Sequence, residues 1–175
     1  MHTTYHTRFL PFLFAFFFLT CSYTTDKDLM TQAEQAVKTK KIDEAIRLYE
    51  RVVTEFKDGK YAAEAMFRMG GLYLGEQKKP LQAIAVYREL AEKYTPSEYA
   101  HKGLFIAGFT YANELKNYPE AKKVYEEYLT KFPDSSMAKT ARFELANLGK
   151  SPDEILNRLQ DTTKDKMASR PGMHL

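Results

Sequence analysis

The sequence predicts an all-α protein built as a stack of similar helix pairs, and three observations carry that prediction. Sliding the chain by 38 residues superposes it on itself without a gap. Ala45, Ala83 and Ala121 coincide, as do Tyr49, Tyr87 and Tyr125; Phe56, Tyr94 and Phe132; Ala62, Ala100 and Ala138; Phe67, Phe105 and Phe143; and Gly70, Gly108 and Ala146. A fixed period of this length marks a repeat architecture in which each unit leans on its neighbours. Within each unit the apolar residues recur at helical spacing: Ala45, Leu48, Tyr49, Val52, Val53 and Phe56 form one stripe. Ala83–Tyr94 and Ala121–Phe132 repeat it. Finally, Ala, Glu, Lys, Leu, Gln and Arg dominate after residue 28, and no run of alternating β-branched residues points to a strand.

In chain order, residues 1–20 differ from the rest. Met1–Arg8 is polar with one cation, and Phe9–Leu19 is almost wholly apolar. Eleven helical residues at about 1.5 Å each fall well short of a hydrocarbon core of about 30 Å. The layout is that of a secretory signal peptide. Cys21, the only cysteine, follows directly and has no internal disulfide partner. The segment Phe18-Leu19-Thr20-Cys21 resembles the processing site of bacterial lipoproteins. That resemblance implies lipidation of Cys21, a polar tether over 21–27 and, with Ser22 next, the outer membrane. A plain signal peptide cut near residues 20–25, or an uncleaved anchor, is the other reading of the same residues.

The helical array is expected over 28–161, with repeats at about 28–61, 62–99 and 100–137 and a cap over 138–161. Pro80 and Pro119 stand in the first turn of the second helix of a unit, where a missing N–H costs little. Asp58-Gly59, Pro96-Ser97 and Pro133-Asp134-Ser135-Ser136 are turn chemistry between units. Gly70, Gly71 and Gly108 interrupt helices at a cost of about 1 kcal/mol each, which predicts close approach by a neighbouring helix. Ser151-Pro152-Asp153-Glu154 opens a last helix with a capping box, and Ile155, Leu156 and Leu159 would turn its apolar face to the array. Periodicity ends at Thr162, so 162–175 is expected to be a disordered tail.

The repeated residues resemble tetratricopeptide repeats, with small and aromatic places such as Gly70, Tyr73, Ala83 and Tyr87 and a proline after the second helix at Pro133. The resemblance implies a right-handed superhelix of antiparallel helix pairs, about three repeats plus a capping helix, whose first helices line a concave groove. The longer connection between units, Phe132-Pro133-Asp134-Ser135-Ser136-x-Ala138, looks like that of Gram-negative envelope proteins such as the lipoprotein subunit of the β-barrel assembly machine and the coordinator of the Tol–Pal system.

No catalytic constellation emerges. His101 has no ligand spacing around it, Cys21 has no histidine nearby, and no phosphate-cradling or nucleophile-elbow motif occurs. The chain is therefore read as a non-enzyme without cofactor or metal. A net charge of +3 with both signs interspersed shows no nucleic-acid footprint. By family position, Phe67, Phe105 and Phe143 form a ladder that faces the groove; the other reading of the same column is core between repeats. Leu74, Phe109, Asn113 and Asn147 join that face, as does Glu64. Such a groove would suit an extended or helical apolar segment of a partner. The favoured expectation is a membrane-anchored periplasmic scaffold in envelope or outer-membrane assembly that binds other envelope proteins. The alternatives are a factor acting on cell-wall polymer and a structural homo-oligomer.

Overall fold

In a computed structural model, which describes residues 24–168, every regular element among those residues is an α-helix. Cys21, the apolar segment before it and residues 169–175 lie outside the described residues. The helices form four consecutive pairs: α1 (Asp26–Lys38) with α2 (Ile42–Glu55), α3 (Ala62–Gly75) with α4 (Pro80–Lys93), α5 (Glu98–Asn113) with α6 (Tyr118–Lys131), and α7 (Ala138–Asn147) with α8 (Pro152–Ala168). From α1 to α7 each helix packs on the next, and α3 also touches α5, so the first helices of successive pairs lie side by side. This is the stacked α-solenoid that the 38-residue period predicts.

Local chemistry places the ends. Thr25 caps α1: the Asp28 N–H donates to Thr25 Oγ1 at 3.1 Å, and the Thr25 N–H donates to Asp28 Oδ2 at 3.0 Å. The Thr25 N–H and the Thr25 hydroxyl, which also donates to Asp28 Oδ2 at 2.8 Å, hold the Asp28 carboxyl below its ordinary range. Between pairs, one turn recurs. The N–H groups of Gly59, Ser97 and Ser135 donate to the carbonyls of Phe56, Tyr94 and Phe132 at 2.8, 2.8 and 3.2 Å. Within pairs, Lys40, Lys78 and Lys116 take positive φ values of 59°, 54° and 51°. This left-handed residue ends the first helix. Beyond it the Lys79 N–H reaches back to the Tyr73 carbonyl and the Asn117 N–H to the Tyr111 carbonyl, both at 2.8 Å.

Two continuous apolar clusters run through the stack. One joins α1–α4 around Leu29, Tyr49 and Met69; the other joins α3–α7 around Leu104, Tyr125 and Tyr128. The glycine notches hold tyrosine rings rather than helix backbone. A Cβ on Gly70 would lie 2.6 Å from Tyr87 Cε1, and one on Gly108 would lie 2.9 Å from Tyr125 Cε1. Gly71 is different: it is exposed, and its nearest neighbour would be the Tyr87 hydroxyl at 3.7 Å.

The last pair keeps its expected capping box but departs from expectation in its length and in the face it turns inward. Helix α8 continues to Ala168, so residues 162–168 are helical rather than a disordered tail. Its capping box forms, with the Ser151 N–H donating to Glu154 Oε2 at 2.6 Å and the Glu154 N–H donating to Ser151 Oγ at 3.3 Å. Its apolar residues do not all face the array: Ile155 is half-buried, but Leu156 and Leu159 are 54% and 45% exposed. The side turned inward carries Arg158, whose guanidinium donates to the Ala146 carbonyl at 3.1 Å and to the Asn147 side-chain oxygen. The reason is electrostatic: the carbonyl-rich C-terminus of α7 attracts a cation more strongly than a leucine.

Candidate partner-binding groove

The exposed faces of α3, α5 and α7 bear the residues that sequence reasoning assigned to a groove, and burial separates them. Phe105 is only 8% exposed and stacks at ring-centroid distances of 5.7 Å from Tyr125 and 5.9 Å from Tyr128. It is core, not a groove residue. Phe67 is half-buried between Tyr87 at 5.7 Å and Tyr99 at 5.5 Å. The same column at Phe143 is 44% exposed. The second helix of each pair differs: α4 and α6 bring a tyrosine against the phenylalanine, whereas α8 reaches α7 through Arg158 at the Ala146 carbonyl and Asn147. The aromatic ladder is therefore core at its first two rungs and becomes surface only at the third.

Phe109, one turn beyond Phe105, is 43% exposed, and Asn113 follows it on the surface. Asn113 donates through Nδ2 to the Phe109 carbonyl at 3.1 Å. Asn147 is buried rather than groove-facing: its Nδ2 donates to the Phe143 carbonyl at 2.7 Å and its oxygen accepts from Arg158. Leu74 is half-buried at the edge of a hollow shared with Lys78, Pro80 and Glu114. Glu64 is tied to Arg68 at 2.6 Å. The exposed candidates are thus concentrated in the C-terminal half, at Phe109, Asn113 and Phe143; Asn113 and Phe143 line a cleft of about 230 Å³ together with Lys116, Tyr118, Glu144 and Ile155 among others.

Sequence reasoning missed Glu144, although the 38-residue period contains it: Arg68, Ile106 and Glu144 form one column. Arg68 faces the Tyr49 hydroxyl and is bound by Glu64 and, at 3.4 Å, by Glu34. Glu144 occupies the corresponding place by Tyr125 with no cation within ion-pair distance among the described residues, and burial raises its carboxyl above the ordinary range. The Tyr125 hydroxyl is fully buried and has no hydrogen-bond partner among the described residues. Burial raises its phenol strongly, and it pushes the Tyr87 phenol up to about 12. Burial lowers the His101 imidazole, which sits against Phe132 at 6.1 Å. No three His, Cys, Asp or Glu side chains converge on a metal position among the described residues. No helix there is long and apolar enough to cross a membrane.

Stacked helix pairs with tyrosine-filled notches define the class as a tetratricopeptide-like α-solenoid. Consistent with it, the sequence profile of the tetratricopeptide repeat matches residues 64–97 and 102–135. These two matches cover α3–α4 and α5–α6, the pairs whose notches hold a tyrosine. No curated protein matches the chain. The class is typically one of non-catalytic scaffolds that bind other proteins.

Proposed function

We propose that the protein is a membrane-tethered scaffold of the bacterial cell envelope that holds another envelope protein against the C-terminal half of its groove. Phe109 and Phe143 carry the proposal: two phenylalanines on successive first helices stay exposed, the second of them lining a largely polar cleft, while Phe105, one turn before Phe109, is buried. Large aromatics left in water on a solenoid face are the side chains that anchor a partner's apolar segment. The signal-like segment ending in Cys21 supports the tether, and the envelope-type loop at Phe132–Ser136 supports the pathway.

Crosslinking in cells followed by partner identification tests this reading. A double Phe109→Ala, Phe143→Ala variant should lose the captured partner while melting at an unchanged temperature. Capture that survives both substitutions would move the binding face elsewhere. Intact-mass measurement of the mature chain checks the tether: two or more acyl chains on Cys21 are expected, and a free thiol or a cytosolic location would overturn it.

A further inference from the structure

The two ends of the solenoid are finished differently. The exposed positions of α1 are Lys27, Asp28, Thr31, Gln32, Gln35 and Lys38, all polar, as the end of a stack requires. At the other end, α8 exposes Leu156 and Leu159. It also overhangs. Seventeen residues of helix span about 25 Å, while the ten of α7 span about 15 Å. The far half of α8 therefore extends past its partner, and short helices without a packed face are marginal in water.

Its side chains show what would cover it. With 100° per residue, Leu156, Thr163 and Leu159 lie on one outward stripe, with Gln160 beside it. Asp153, near the start of α8, and Lys164, three turns later, sit on the same flank of that stripe. Lys164 has only a loose contact with Asp161 at 3.8 Å. When a helix pairs antiparallel with its own copy, each flank meets the same flank of the other helix. Acid at one end and lysine at the other then pair twice by symmetry.

We propose that α8 pairs antiparallel with α8 of a second copy, about a two-fold axis close to Leu159. The Leu156–Leu159 stripes cover one another, and Asp153 of each copy meets Lys164 of the other. The polar α1 end excludes a head-to-tail fibre, so association stops at two. One helix pair buries less than the about 1,200–2,000 Å² of a standard interface, so the dimer is weak and concentration-dependent. It leaves the Phe109–Phe143 face of both copies open, and it holds whether or not that face binds a partner.

Sedimentation of the full chain in non-ionic detergent tests it, with Cys21→Ser in every sample so that no acyl chain or disulfide contributes. The mass should double as concentration rises. Leu159→Lys and Lys164→Asp should each hold the protein monomeric over the same range, with unchanged helicity by circular dichroism. The double swap Asp153→Lys, Lys164→Asp should restore the dimer. A monomer at all concentrations overturns the proposal. So does a dimer indifferent to these substitutions, or a swap that fails to restore it.

Discussion

The second and third helix pairs differ from the fourth in what ties the second helix to the first. In α3–α4 and α5–α6 a glycine on the first helix receives a tyrosine ring from the second, Tyr87 on Gly70 and Tyr125 on Gly108. In α7–α8 the corresponding residue is Ala146, which is exposed, and Arg158 instead bonds to its backbone carbonyl at the end of α7. The tyrosine version buries a large apolar surface and locks two helices together. The arginine version satisfies the carbonyl end of α7 but leaves α8 hanging by polar contacts, with its leucines in water. The same helix-pair plan thus yields a core element when a ring fills the notch and an end element when the second helix is held by an arginine at the C-terminus of the first.

The largest break in this comparison is to remove a ring. Tyr125→Ala should cost about 3–5 kcal/mol in urea-unfolding measurements, the range for truncating a large buried aromatic. Tyr125→Phe should leave stability unchanged or raised, since the hydroxyl it deletes is buried without a partner. Next comes the notch itself. Gly70→Ala should destabilise by about 1–3 kcal/mol, because the added methyl meets the Tyr87 ring. Its neighbour Gly71→Ala has room and should stabilise by up to about 1 kcal/mol through helix propensity. Equal effects at the two adjacent glycines would dismiss the notch as the source.

Smaller effects sharpen the contrast at the C-terminal side. Arg158→Ala should change global stability by about 1 kcal/mol or less, as for a partly exposed ionic contact. Amide exchange should accelerate in α8 while α3–α6 stay protected. The smallest effect is electrostatic. Burial raises the Glu144 carboxyl in the folded chain, so its protonated form favours folding. That contribution is full below the unfolded value of 4.5 and is lost as pH rises through the folded value. Glu144→Gln should therefore match the parent in acid and melt higher at neutral pH. A difference that persists unchanged at low pH would show that ionisation is not its cause.

Much of this was legible in the residues. Period, helix stripes, proline positions and turn residues place α1–α7 without any tertiary information, because each signal acts within a few residues or repeats at a fixed interval. The groove was legible only in part. Phe67, Phe105 and Phe143 are identical in type and register, so no local property separates core from surface among them. Their fates depend on whether the following helix supplies Tyr87, Tyr125 or Arg158. Asn147 is absorbed for the same reason, by an arginine eleven residues away. The lysines at positive φ were readable as a 38-residue column but carry none of the usual glycine signal.

The amino-acid sequence by itself determined a helix-pair solenoid, its period and its turns, since hydrophobic periodicity and backbone preference are local and each repeat restates them. Only the tertiary structure decided where the solenoid ends and which of its aromatics meet water. Those outcomes turn on the second helix of each pair. A buried tyrosine extends the core, whereas an arginine drawn to the C-terminus of α7 stops it, leaving Phe143, Leu156 and Leu159 in water.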